Sequence, residues 1–452
     1  MNARDLARRV LQRVDAGAYA SLALAGELGK ARLDEADRAL ATELVHGVLK
    51  RRTRLDRALA ACAQREGSLE RLDGVTRNAL RLAAHQLLFL RVPAHAAVDD
   101  AVGAIKRLRG PRLAGFANAL LRRLAREGEP ALPPAPGDGD RAALVEHLAL
   151  VESTPRWIVE AALEPLGPAE LPSLLAAWNA PPPLWLRANT LRTAPDTLRT
   201  ALVDELAARG RPGARVTASP RIPEALAVER GGDLFSSPLY ARGDFLAQDL
   251  GAQVVAHLVD PRPGERLLDA CAGVGGKSTH LAALAGGRAT VDAADRSARK
   301  LELCADHAHR LGVAVRTIEA DLTDGRAPLA PAYDRVLLDA PCSGLGVLRR
   351  HPELKWRRAP DELPALASLQ AKLLAALAPR VRPGGLLVYS VCTFTAVEGP
   401  GQVAAFLAGH PEFAVEPAPD PLAPFAAADG AVRTWPHRDD ADAFYAVRLR
   451  RR

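Results

Sequence analysis

Two cysteines stand at the ends of apolar runs: Cys342 in "LLDAPCSGLG" (337–346) and Cys392 in "LLVYSVCTFT" (386–395), with Asp339 three residues ahead of the first. Short Val/Leu-rich runs bounded by turn residues read as buried strands, so each thiol falls where a strand ends. A buried cysteine is most often inert packing, and that reading suits Cys62 and Cys304. A thiolate is also the nucleophile that a pyrimidine lacks. C5 of the ring cannot take a methyl group unaided, but thiolate addition to C6 turns C5 into an enamine carbon. Loss of the C5 proton and elimination of the thiol then restore the ring. The reaction needs a donor near N3 for the developing charge, a role open to Asp339 if it is held close to the base. These residues alone leave open which thiol attacks.

A methyl donor would need its own site, and "LLDACAGVGGK" (267–277) offers one. The first strand ends at Asp269; Cys271, Ala272, Gly273, Val274, Gly275 and Gly276 then lead into a helix near Lys277. Glycines let the backbone approach a ligand, and a helix N-terminus supplies free N–H groups. The spacing is neither G-x-G-x-x-G nor a P-loop, so the loop by itself is a weak signal. The strands that follow end at Asp295, Asp321 and Asp339. Asp295 is placed to accept both ribose hydroxyls and Asp321 to meet an adenine edge. Each aspartate singly could cap a loop; the ordered ring would repel phosphate and suit a cationic nucleoside. S-adenosylmethionine (SAM) is therefore the expected cofactor.

The elements that must position these groups fall into segments. Residues 1–130 read as all-helical: "VTRNALRLAAHQLLFL" sets Ala79, Leu82, Ala83, Leu87 and Leu90 on one face, and "FANALLRRLARE" does so with Phe116, Ala119, Leu120 and Leu124. Pro/Gly-rich "EPALPPAPGDGD" (129–140) reads as a linker, assigned to residues 131–140. Residues 141–235 read as a small α+β module around "PPPLWLRANTLRT". From 236 to 452, strand, glycine loop and helix alternate, the pattern of a mostly parallel, doubly wound α/β sheet.

Composition sets the class. The 452-residue chain carries a net charge of +7, and residues 1–130 hold 24 Lys/Arg against 15 Asp/Glu, a surplus of nine. A basic module on a near-neutral remainder suggests a polyanion, most simply nucleic acid, although 53 Arg against 7 Lys could equally reflect genome composition. Five widely spaced cysteines without a CxxC argue against a disulfide framework and a zinc site, and no metal is expected. No apolar run is long enough to span a membrane and the start lacks a signal-peptide core, so a cytoplasmic protein is expected.

With these motifs in hand, the chain resembles bacterial RNA cytosine-5 methyltransferases of the RsmB/NOP group, nearly end to end. "FLAQDLGAQ", "LLDACAGVGGK", "DAPCSGLGVLRRHPELKW" and "VYSVCT" recur in the expected order, "LWLRANTLRT" resembles the middle segment, and the basic helices resemble a NusB-type RNA-binding domain. The resemblance implies a class I, Rossmann-like catalytic domain. It implies Cys392 as nucleophile, Cys342 as the group assisting product release, and Cys271–Lys277, Asp295, Asp321 and Asp339 as SAM contacts. Arg349, Arg350 and His351 become candidate RNA contacts, against the simpler reading of a solvated basic loop. The implied substrate is 16S ribosomal RNA and the implied state a monomer. Alternatives are the same chemistry on tRNA or another RNA, or an inactive RNA-binding assembly factor. The sequence departs from the family at Gly273-Val274 (usually Ala-Pro), at "AVEGPG" after Cys392, which keeps Glu398, and at "DAFY" (442–445).

Overall fold

The computed structural model describes residues 2–63, 67–137 and 139–452, and divides into two compact units. Asp138, in the expected linker, lies outside the described residues.

The first unit comprises Met1–Ala180 with Leu348–Arg357. It is helical, as the periodicity predicts. Side chains of Asn2, Asp34, Asp73 and Asp140 accept hydrogen bonds from the backbone N–H of the third residue of their helices, satisfying donors that a helix start leaves open. Gly110, at φ 89°, separates Ala94–Arg109 from Pro111–Glu127, and Gly167, at φ 72°, breaks Arg156–Asn179 into two helices. The face of Pro111–Glu127 differs from the expected one. Ala114, Ala117, Leu120, Leu121 and Leu124 are buried, Ala119 is exposed and Phe116 is half-buried, because the stripe follows the 3-4 spacing from Ala114. The expected linker begins pinned rather than loose: Arg54 pairs with Glu129, and Arg57 donates to Pro130 O and Ala131 O.

Leu348–Arg357 completes this helical core. Trp356 packs against it and donates through Nε1 to Leu49 O at 2.7 Å. The Ala20 amide donates to buried Glu353 Oε1 at 3.0 Å, Arg357 donates to Ala18 O at 2.7 Å, and Lys355 Nζ reaches Asn179 Oδ1 at 3.1 Å.

The second unit, Pro181–Val347 with Arg358–Arg452, starts at a triple proline that no helix continues through. It contains two sheets. The small one has β1 (Leu184–Ala188), β2 (Arg215–Ala218), β3 (Ala225–Glu229) and β4 (Phe245–Ala247) in the antiparallel order β2-β3-β1-β4, with a core of Leu186, Leu198, Leu202, Leu226 and Phe245. Its last strand lies beyond residue 235, while helices Arg141–Val151 and Arg156–Asn179 belong to the helical unit.

The large sheet contains β5 (Arg266–Ala270), β6 (Thr290–Asp295), β7 (Arg316–Glu319), β8 (Tyr333–Asp339), β9 (Val381–Val391), β10 (Phe413–Glu416), β11 (Val432–Thr434) and β12 (Phe444–Arg451). Its order is β10-β12-β9-β8-β5-β6-β7, with β11 paired to β12. Strands β5 to β9 are parallel, and β10, β11 and β12 pair antiparallel. Chain order reverses between β5 and β8, which opens a crevice beyond their C-terminal ends. Both faces are covered by apolar clusters, one around Val254, Leu267 and Leu337, the other around Leu268, Val336 and Leu387. That double burial is why the strands read as continuous apolar runs.

Candidate active site

Strand β5 feeds the glycine loop directly. Cys271, Gly273 and Gly275 take left-handed φ values of 64°, 57° and 78°, and helix Gly276–Leu284 follows. The two glycines serve different ends. A Cβ on Gly275 would sit 2.3 Å from Cys304 Sγ, so that position is small to seat the loop on helix Ala298–Leu311. A Cβ on Gly273 would meet nothing within 4 Å, so its backbone faces open space. The loop is tied at Gly273, whose N–H donates to Asp295 Oδ2 at 2.9 Å, and at Val274, whose carbonyl accepts from His307 Nδ1 at 3.0 Å.

A cleft of ≈ 160 Å³ opens at the ends of these strands, lined by Cys271, Asp295, Arg296, Lys300, Asp321, Thr323 and by the apolar Leu322, Pro341, Leu369 and Leu373. Asp295 is buried and also accepts from the Ser297 N–H. Asp321 is exposed, and its Oδ1 accepts from the Thr323 N–H and hydroxyl, which hold its carboxyl below the usual range. Beneath the loop, Asp269 is 1% exposed; burial pushes its carboxyl up to about 7, Ser278 Oγ donates to Oδ2, and Oδ1 has no hydrogen-bond partner. Carboxylates beside apolar walls and an open glycine backbone fit an adenine nucleoside with a cationic tail. Burial and the nearby Asp295 push the Cys271 thiol up to about 12, so that sulfur is inert.

The aspartate ring is less anionic than its sequence suggests, because Arg296 and Lys300 line the same cleft. Lys277 Nζ donates to Asp339 Oδ2 at 2.6 Å. Burial works against the Lys277 charge, but Asp339 outweighs it and holds the ammonium above its ordinary range.

The two thiols meet. Strands β8 and β9 are parallel neighbours with Asp339 opposite Ser390, so both turns leave the same edge. Cys342 Sγ and Cys392 Sγ lie 3.3 Å apart as free cysteines. Contact with Cys392, then burial, pushes the Cys342 thiol well up. Glu398, fully buried, binds the two turns together. It accepts from the Ser343 N–H (2.8 Å), Ser343 Oγ (2.6 Å), Thr395 Oγ1 (2.9 Å) and Gln370 Nε2 (3.1 Å), while Ser343 Oγ accepts from Thr393 Oγ1 (3.0 Å). In the sequence, the hydroxyl residues that follow each cysteine and the retained Glu398 were the signals for this network.

Arg349, Arg350 and His351 do not form a solvated loop. They lie in the segment that completes the helical unit: Arg349 is 8% exposed, and Arg350 and His351 are half-buried, with His351 against the Tyr19 ring.

Comparison with known proteins agrees with this architecture. The 16S rRNA methyltransferase RsmB/F family matches residues 256–450, the NusB family residues 1–126, and the RsmF/B-like ferredoxin-like domain residues 154–234. A probable ribosomal RNA small subunit methyltransferase B of Synechocystis is 34% identical over the whole of both chains. The chain belongs to the RsmB/RsmF methyltransferase family. Ribosomal RNA small subunit methyltransferase B of Pseudomonas putida is 35% identical, covering 91% of this chain and 90% of its own. Among solved structures, PH0851 aligns with a TM-score of 0.81 at 24% identity over 99% of each chain. NSun6 from Pyrococcus horikoshii with SFG aligns at 0.57 and 21% identity, covering 66% of this chain and 98% of its own. These two likenesses establish the shared fold. Members of this family are SAM-dependent, and the cleft has the donor set such a cofactor requires.

Proposed function

We propose that the protein methylates C5 of a cytosine in 16S ribosomal RNA through a covalent Cys392–C6 adduct, acting as a cytoplasmic monomer. The observation that carries this reading is the 3.3 Å contact between Cys342 and Cys392 beside the cofactor cleft.

The contact supports a division of labour. Contact with Cys392 and burial hold the proton on Cys342, and the family resemblance gives the attacking role to Cys392. Cys392 adds to C6, and the displaced electron pair moves toward N3, where the Lys277–Asp339 pair holds a transferable proton. Bound SAM supplies the methyl group that the enamine C5 takes up. Once Cys392 is bonded to carbon its charge is gone, and with it the main influence holding the Cys342 proton. As C5 takes the methyl group, N3 returns its proton to the Lys277–Asp339 pair; Cys342 then gives its own proton to solvent water, takes the C5 proton as thiolate, and the C5 electrons expel Cys392 as thiolate. Lys277, Asp295, Asp321 and Asp339 would hold the cofactor with the loop Cys271–Gly276. Arg350 and His351 keep part of their surface for RNA, whereas Arg349 is turned inward.

The 16S assignment draws on the names of the relatives and on the basic helical unit. Bisulfite sequencing of ribosomal RNA from a deletion strain tests it: one cytosine should lose its methyl group, and an unchanged pattern would redirect the search to other RNAs. For the chemistry, Cys392→Ala should abolish transfer, while Cys342→Ala should accumulate a protein–RNA adduct that survives SDS. Adduct accumulation in Cys392→Ala instead would reverse the roles of the thiols.

A further inference from the structure

The segment "LWLRANTLRT" matches the family, yet nothing in the chemistry above uses it. Arg187, on β1, is 2% exposed. Its Nη1 donates to Gly276 O at 2.6 Å and to Gln248 Oε1, and its Nη2 donates to Thr279 Oγ1 at 3.0 Å. Gly276 and Thr279 form the first turn of the helix that follows the cofactor loop. A cation is disfavoured at a helix N-terminus by the helix dipole, so helix stability does not account for this placement.

The opposing charge comes from Glu224, just ahead of β3 and 4% exposed. Its Oε1 accepts from His257 Nε2 at 2.7 Å and from His280 Nε2 at 2.6 Å, and His280 lies on the same loop helix. Two histidines and a carboxylate have the atom types of a metal centre. These separations are hydrogen bonds, however, shorter than the roughly 3.3 Å between ligands on a tetrahedral zinc, and the neighbouring Arg187 already supplies positive charge. The cluster is an anchor.

Two more residues of the segment grip the second helix beside the loop. Asn189 Nδ2 donates to Leu311 O at 2.8 Å and Arg192 Nε to the same carbonyl at 3.2 Å. Leu311 ends the helix whose Cys304 seats Gly275 and whose His307 holds Val274.

We propose that Arg187 is a positioning residue for SAM binding, through which the four-stranded sheet sets the conformation of the cofactor loop. The Gly276 carbonyl shares its peptide plane with the Lys277 N–H. Fixing that carbonyl fixes where the N–H points and where the Lys277 side chain departs toward Asp339. The proposal rests on reading the loop as the cofactor site, and titration of the unmodified protein with SAM tests that reading on its own.

The experiment is equilibrium titration of the full chain with SAM, which needs neither RNA nor turnover, paired with RNA binding and thermal unfolding. Arg187→Met should weaken SAM binding by about tenfold or more, the scale of a lost charged hydrogen bond, with RNA affinity kept within about twofold. Arg187→Lys should recover part of the loss. Thr279→Val, which removes one contact and leaves the buried charge pair intact, should weaken SAM binding by a smaller factor and keeps the test valid if Arg187→Met fails to fold. Unchanged SAM affinity in folded Arg187→Met or in Thr279→Val would overturn the proposal. So would equal losses of SAM and RNA binding, which would mark a general structural role.

Discussion

Lys277 on helix Gly276–Leu284 and Asp339 at the end of β8 are joined by a 2.6 Å ion pair, half-hidden from solvent, with side chains 12% and 27% exposed. The pair spans the crevice at the point where the sheet reverses its strand order, and the Lys277 charge is raised further by Asp269 and Cys392. Lys277→Met is expected to lower kcat by about a hundredfold, the scale of losing one preorganised charged donor, while RNA binding holds. If the two side chains act as a unit, Lys277→Met/Asp339→Asn will be little worse than either single variant. Additive losses in single-turnover assays would separate their roles.

Glu398→Gln replaces an acceptor of four hydrogen bonds with a group that offers only one oxygen to Ser343 and Thr395. A buried carboxylate stripped of its charge-assisted bonds should cost about 2 kcal/mol of stability. Activity should fall further than stability, because the Cys342 and Cys392 turns lose their common tie. Urea unfolding and rate measurements on the same preparation check this; equal activity at reduced stability would assign Glu398 to folding alone.

Gly275→Ala and Gly273→Ala should differ although both positions are left-handed. At Gly273 the added methyl meets open space and the cost is backbone strain, about 1 kcal/mol. At Gly275 it meets Cys304 Sγ at 2.3 Å, so strain and overpacking combine to about 3 kcal/mol. Cys304→Ala in the Gly275→Ala background should return part of that loss in thermal unfolding.

Asp269 gives a pH signature. Its folded-state pKa, raised by burial to about 7, exceeds the unfolded value of about 3.9. The group therefore contributes stability below about pH 4, and that contribution is lost as pH rises through 7. Asp269→Asn cannot ionise, so it should be more stable than the parent at pH 8 by one to a few kcal/mol, roughly. The advantage should shrink steadily toward pH 5 in denaturant titrations.

Local signals were legible in the sequence. Alternation of apolar runs with glycine loops revealed the parallel sheet, and strand ends placed Asp295, Asp321, Asp339 and both cysteines on one edge. What escaped depends on contacts distant in the chain. The burial of Ala117 rather than Ala119 follows from neighbouring helices. The Lys277–Asp339 pair joins residues 62 apart, and Trp356 bonds to Leu49 across 307 residues. Nothing in "LRRHPELKW" distinguishes a solvated basic loop from a segment that finishes a helical core; the partners Leu49, Ala20 and Asn179 make the difference.

That returning segment carries a consequence for how the protein is made. The helical unit opens with helix Ala3–Asp15 but is finished only by Leu348–Arg357. Translation at about 5–20 residues per second leaves roughly ten to thirty seconds between Ala180 leaving the ribosome and Arg357 following it. During that interval, Glu353 and Trp356 are missing from the positions they will occupy beside Ala20 and Leu49. The amino-terminal helices therefore wait, incomplete, for a piece of chain that also carries the Cys342 turn just ahead of it.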